Sequence, residues 1–306
     1  MEFTSNKKWK GRKELNVKLN QKTQGILYII GAAFFFALMN LFVRLAGEVP
    51  TFQKCFFRNI VAVFAAIIML QKNHVKFQIG KGNLKYLLVR STAGLFGIIC
   101  NFYAVDHMAI SDASLLNKLS PFFAIIFSTI ILKEVAKAKE WGMVVLAFVG
   151  ALFVIKPTMG MEFIPGLIGM FGGACAGLAY TYVRKLGQQG VNGLIIVAFF
   201  SLYSSILLLP NLLINYVSMS LYQWVGLLLA GVAATGGQVC VTNAYTKAPA
   251  KEISVFDYSQ IIFAAILGLM VLNEIPDIYS IIGYGIILAT AIMKWRYAIV
   301  QAGAAK

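Results

Sequence analysis

The chain reads as an all-α membrane protein of ten transmembrane helices, built as two five-helix halves of opposite orientation. Three observations predict this fold: a composition too apolar for water, ten apolar runs of spanning length, and a self-similarity at an offset of about 140 residues. Of the 306 residues, 59% are hydrophobic and only 13% are charged, where a soluble domain carries about 25% charged residues. Charge this scarce places most of the chain in a solvent that tolerates none, the bilayer interior.

The apolar runs cover 25–45, 53–71, 84–105, 112–132, 140–157, 164–185, 193–214, 222–245, 252–272 and 278–297. Each fits the roughly 17–25 residues a spanning helix needs. Pro50, Pro157, Pro210, Pro249 and Pro276 punctuate run ends, where proline ends a helix without removing a hydrogen bond from its middle. Trp141, Trp224, Trp295, Tyr86, Tyr222 and Tyr279 lie at the same ends, as an interfacial aromatic belt requires.

The net charge of +15 is topogenic rather than a nucleic-acid footprint, because the basic residues sit in short segments between apolar runs. The N-terminal tail, every second loop and the C-terminus hold 21 of the 27 lysines and arginines. Arg44, Lys54 and Lys156 are in the other loops, and Arg58, Arg90 and Lys118 are within runs. The positive-inside rule then puts both termini in the cytoplasm. The polar, basic segment 1–24 is expected to be a cytoplasmic tail, with no cleavable signal peptide following it. Cys55, Cys100, Cys175 and Cys240 have neither CxxC nor metal-ligand spacing, so they are expected to be packing residues.

Sliding the chain by 140 residues aligns Val43-Arg44 with Val183-Arg184, Gly47 with Gly187, Gly97 with Gly237 and Cys100 with Cys240. It also aligns Ser114 with Ser254, Phe123-Ala124 with Phe263-Ala264, and Glu134 with Glu274. Matches of arginine, glutamate and cysteine at one offset are hard to obtain by accident in so apolar a chain. Five spans per half is an odd number, so the halves enter the membrane in opposite senses. Inverted repeats of this kind are the architecture of many secondary transporters, which rock the halves about a shared midplane site. The expected organisation is a tail at 1–24, a first repeat at 25–157, a second at 158–298 and a cytoplasmic tail at 299–306.

Several motifs resemble a known family. Pro121-Phe122-Phe123 through Leu132-Lys133-Glu134, then Trp141-Gly142 and Gly150 through Lys156-Pro157, resemble the EamA domain, and Phe263-Ala264-Ala265 with Leu272-Asn273-Glu274 echo it. Phe57-Arg58-Asn59 is similar to the family's arginine in the second helix. The resemblance implies the drug/metabolite transporter superfamily, with ten helices around a central cavity. Arg90 through Gly94, Tyr103-Ala104 and Ala113 resemble its acyl-malonyl-condensing-enzyme-like solute carrier branch. Phe35-Phe36-Ala37 departs from the pattern, standing where EamA proteins commonly have tryptophan.

Ionisable side chains at membrane depth cost several kcal/mol and face a cavity or a partner. Ser114 and Asn117 share a helix face with Pro121, and their offset partners are Ser254, Asp257 and Ile261. Equivalent helices of both halves therefore carry polar residues at the same face. This makes Ser114, Asn117 and Lys118 with Ser254, Asp257 and Gln260 the candidate substrate site. A structural Lys118–Asp257 pair explains the same residues, and the sequence leaves both readings open. Arg90 is a further candidate, whereas Arg58 is expected to snorkel toward the nearer surface. Asn40, Asn101 and Gln238 lie on helices one, three and eight, which the resemblance implies line the cavity. Gly169, Gly173 and Gly177 form a small-residue ridge expected to serve close packing within the chain.

No HExxH, GxSxG or Walker A motif occurs, so neither catalysis, a metal or other cofactor, nor direct ATP drive is expected. The expected function is secondary transport of a small anionic or zwitterionic metabolite, such as a carboxylate or amino acid, by alternating access. A proton is the candidate coupling ion. The expected setting is the plasma or inner membrane of a bacterium, with lipid and the small-molecule substrate as partners, no nucleic acid, and a monomer or homodimer. The rival within transport is a proton-coupled exporter of amines or cationic drugs, with Asp257 as the cation site. From another class, the rival is a non-transporting scaffold or an intramembrane enzyme.

Overall fold

The structure, a computed structural model, describes residues 21–80, 82–133, 137–155, 163–247 and 254–304. Glu134, Lys156, Pro157 and Pro249 lie outside these residues, as does the side chain of Ser254. Ten spans are present among the described residues, each long and apolar enough to cross a membrane. The first three are α1 (Gln21–Leu45), α2 (Thr51–Lys72) and α3 (Leu84–His107). The fourth is split into α4 (Ile110–Asn117) and α5 (Ser120–Ile131). Spans five to eight are α6 (Ala138–Ile155), α7 (Phe163–Gln188), α8 (Gly193–Ile214) and α9 (Leu221–Lys247). The ninth runs from a 3-10 turn (Ser254–Tyr258) through α10 (Ser259–Leu267) to a π turn (Gly268–Leu272), and the tenth is α11 (Ile278–Ala304). The face where α1 begins is called the tail face below, and the opposite one the far face.

The apolar run reads as one helix in which Pro121 permits a kink, and the structure breaks it just before the proline. Lys118 and Leu119 fall out of the helix, and Pro121 lies in the first turn of α5. A missing N–H costs nothing in a first turn, so the proline starts a second helix and the strain falls at the junction. Span nine changes winding at the equivalent place, between Tyr258 and Ser259. Beyond these breaks, the spans end on two non-glycine residues of positive φ, Lys133 (56°) and Asn273 (54°). These positions, too, are 140 residues apart.

The packing obeys the same exchange of halves. Span one packs on spans eight and nine, and span six packs on their counterparts, three and four. Spans two and seven pack on each other, as do five and ten, and four and nine. The pairing of two with eight is answered by that of seven with three. Large apolar side chains such as Phe64, Leu213, Leu221 and Met270 point outward, as in a protein whose solvent is lipid.

The glycine ridge of α7 lets span six reach the break in span four. A Cβ on Gly173 would stand 2.5 Å from the Leu116 carbonyl oxygen, and one on Gly177 would stand 2.7 Å from that of Ser120. On α1 the equivalent positions are Ala33 and Ala37, both fully buried. Small residues in both halves thus bring spans one and six against the broken helices, which positions the site.

Candidate functional site

The two helix breaks hold a cross-repeat ion pair. Lys118 caps the end of α4, and its Nζ lies 2.6 Å from Oδ2 of Asp257 in the 3-10 turn of span nine. The Asp257 Oδ1 atom is buried and without a hydrogen-bond partner. Asn117 lies beside Lys118 and is half-buried, while Gln260 is buried one residue into α10.

Toward the far face a second polar group ties three spans together. Asn101 Nδ2 donates to Asn40 Oδ1 (3.2 Å), and Asn40 Nδ2 donates to Ser114 Oγ (3.0 Å). All three residues are buried, so the bonds satisfy both amide atoms of Asn40 and the Nδ2 of Asn101, groups that hydrocarbon would leave unpaired. Arg90 and Gln238, by contrast, line a different space.

That space is a cavity of about 540 Å³, the open solvent at its mouth included, walled by α2, α3, α8 and α9. Its lining runs from Arg58 near mid-depth to Met69 and Leu194 toward the tail face. Arg90 lays its guanidinium on the Phe200 ring, 4.0 Å from the centroid. Gly94 makes room for this stack, because a Cβ there would meet Phe200 at 2.9 Å and the Arg90 Nη1 at 3.3 Å. The Nε and Nη1 of Arg90 are buried and have no hydrogen-bond partner. Arg58 donates from Nη1 to Asn59 Oδ1 (2.7 Å), leaving its buried Nε without one. Both arginines are over nine-tenths buried, at 8% and 9% exposure. Arg58 therefore does not snorkel: its side chain turns into the cavity wall.

The far face carries its own cross-repeat contacts. Arg44, at the end of α1, pairs with Glu274 (3.0 Å) and donates to the Val105 carbonyl (2.8 Å). The Glu274 Oε2 accepts the Ile110 N–H at 2.9 Å. Within the first repeat, Lys54 and Asp106 pair at 2.6 Å. The Tyr284 hydroxyl donates to Asp112, and Ser280 Oγ donates to its other oxygen at 3.0 Å. Hydropathy placed Lys54, Asp106 and Asp112 at span ends and gave no reason to join them. Arg58 is the cavity residue the periodicity undervalued, although its neighbour Asn59 was a visible signal of a polar surface there. Among the described residues no cluster of metal-ligating side chains occurs.

Comparison with known proteins agrees with the doubled architecture. Residues 23–156 and 164–295 each match the EamA-like transporter family. The pseudopaline exporter CntI of Pseudomonas aeruginosa (strain UCBPP-PA14) is 30% identical over 272 residues, covering 87% of this chain and 94% of that protein. Human solute carrier family 35 member G1 is 25% identical over 300 residues, covering 89% and 80% of the two. An uncharacterized transporter of Helicobacter pylori (strain J99) is 23% identical over 88% of this chain and 93% of its own length. A crystal structure of a protein 17% identical in sequence superposes with a TM-score of 0.65, covering 90% of this chain and 99% of that one. This last likeness concerns the fold alone.

Proposed function

Because the chain belongs to the EamA-like transporter family of the drug/metabolite transporter superfamily, and so is a multi-pass membrane transporter of small solutes rather than an enzyme, we propose that its solute is a small organic anion or zwitterion moved by alternating access. One observation carries the reading. The described residues lining the cavity include two arginines and no carboxylate, whereas the membrane-depth carboxylate Asp257 is already held by Lys118. An amine or cationic drug would meet two like charges in that cavity. A carboxylate would meet guanidinium donors that have no other partner.

In this reading Arg90 and Gln238 touch the solute. Lys118 and Asp257, with Asn117, Gln260 and Ser254 beside them, form the switch between halves. Protonation of Asp257 frees Lys118 and lets spans four and nine part. Asn40, Asn101 and Ser114 hold the crossing of spans one, three and four. Arg44 with Glu274 keeps the far face shut while the cavity serves the tail face. The repeats 25–157 and 158–298 are the moving bodies. The segments 1–24 and 299–306 lie in the cytoplasm of a bacterium, and the tail face is the cytoplasmic one. Kinship with the acyl-malonyl-condensing-enzyme-like branch belongs to the same reading, carried by Arg90 through Gly94, Tyr103-Ala104 and Ala113. The name of the pseudopaline exporter supports a direction, export.

Counterflow in liposomes tests the proposal. Purified protein is loaded with unlabelled mixtures of carboxylates and amino acids, or of amines, and uptake of the labelled species is followed. Anion exchange that Arg90→Ala removes is expected. Amine exchange that Asp257→Asn abolishes and Arg90→Ala leaves intact refutes it.

A further inference from the structure

The cavity holds more positive charge than a single carboxylate can neutralise. Arg58 comes from α2 and Arg90 from α3, so the two guanidiniums approach from separate helices. Both side chains line the same cavity. No carboxylate is among the described residues lining it. Each guanidinium has five N–H donors, and the buried atoms without a partner are Nε of Arg58 and both Nε and Nη1 of Arg90. A buried charge persists only if it is paired and hydrogen-bonded, and two like charges in one apolar space also repel each other. A solute with one negative charge would satisfy one arginine and leave its neighbour uncompensated.

The walls between them suit a short carbon skeleton. Ala62, Ala65 and Ala66 form one apolar side, and Val197 with the Phe200 ring forms another. The Phe200 stack occupies one face of the Arg90 guanidinium, so an acidic group must approach Arg90 along its edge. This is the geometry in which guanidinium N–H groups recognise planar carboxylates.

Resting on the anion reading above, we infer that this cavity takes a small organic dianion, with one acidic group on Arg90 and the other on Arg58. Arg58 is then the residue that separates dianions from monoanions, while Arg90 is needed for both. Two sources supply such charge: a dicarboxylate, including a dicarboxylic amino acid, or an organic phosphate monoester.

The test uses full-length protein, reconstituted for counterflow and in detergent for ligand-dependent thermal shift, since a ligand that binds only the folded state raises its apparent stability. The probes are malonate, succinate, glutarate and adipate, each against the monocarboxylate of equal chain length, together with glycerol 3-phosphate and putrescine. At least one dianion is expected to bind about tenfold or more tightly than its matched monoanion. Arg58→Ala is expected to remove that preference, cutting dianion binding about tenfold and changing monoanion binding by less than about twofold. Arg58→Gln, a neutral polar replacement, serves if the alanine variant does not fold, and Arg58→Lys is expected to restore part of the preference. Glycerol 3-phosphate outcompeting every dicarboxylate supports the dianion and assigns it to a phosphate monoester. Equal binding of mono- and dicarboxylates, or an Arg58→Gln protein with unchanged preference, overturns the inference and leaves the anion reading standing. Exchange of putrescine with no anion overturns both.

Discussion

Removing Lys118 perturbs the one ion pair that joins the two helix breaks. At 2.6 Å and an effective dielectric of about 20, the gross attraction of the pair is about 6 kcal/mol. Desolvation of both groups cancels much of this, and truncating one partner of a buried pair typically costs about 3–5 kcal/mol. The Asp257 side chain keeps 23% of its surface exposed and that of Lys118 keeps 9%, which puts the cost at the lower end. Lys118→Ala is therefore expected to destabilise by about 3 kcal/mol, leaving both Asp257 oxygens without a partner. Asp257→Asn costs less, about 2 kcal/mol, because the flexible lysine can move toward water. Lys118→Ala with Asp257→Asn removes both charges and is expected to cost about 2 kcal/mol rather than the sum of about 5, a coupling of magnitude near 3 kcal/mol. Equilibrium unfolding in mixed dodecyl maltoside and SDS micelles, followed by fluorescence of the four tryptophans, measures each corner of this cycle. Additive single effects, with a coupling below about 0.5 kcal/mol, would show that the pair does not hold the breaks together.

The far-face pair gives a kinetic prediction. Arg44→Gln is expected to raise several-fold the rate at which an impermeant thiol reagent labels a cysteine at Asn40 from that face, in a cysteine-free background, and an unchanged rate refutes the closing role. For the glycine ridge, Gly173→Val is expected to cost about 3 kcal/mol or more, since even a Cβ would stand 2.5 Å from the Leu116 carbonyl oxygen and overpacking typically costs about 1–3 kcal/mol. Gly142→Ala meets nothing within 4 Å and is expected to be neutral or stabilising by up to about 1 kcal/mol. Comparable unfolding midpoints for these two variants would refute the packing account. Gly94→Ala presses on the Phe200 ring and the Arg90 guanidinium. It is expected to leave the unfolding midpoint within a few degrees of the parent while weakening anion counterflow at least about fivefold, and full counterflow would show that the stack does not position Arg90.

Part of the candidate site was visible in order and spacing. Lys118 and Asp257 stand out because charge is rare at membrane depth, and the offset of 140 residues says that their helices are equivalent. Arg58 was undervalued for a physical reason: depth along a helix is countable, but the direction of a long side chain is not. A surface arginine and a cavity arginine have the same sequence signal, and only the rotation of α2 against α3 and α8 separates them. The break at Lys118 and Leu119 was legible as a proline but misplaced by a few residues. A proline in a first helical turn and one at a kink look alike until the preceding residues leave the helix.

Ten spans, their lengths and the duplicated halves follow from the sequence by itself. Solvent preference is a property of each segment, and the odd number of spans per half forces the inversion without any knowledge of contacts. The tertiary structure alone decided which polar residues share a space. Arg58 and Arg90 meet in one cavity, Lys118 finds Asp257 across the breaks, and Asn40, Asn101 and Ser114 form a separate knot. That outcome depends on helix rotation, set by small residues such as Gly173 and Gly94 whose value lies in the atoms opposite them. No hydropathy sum contains those atoms.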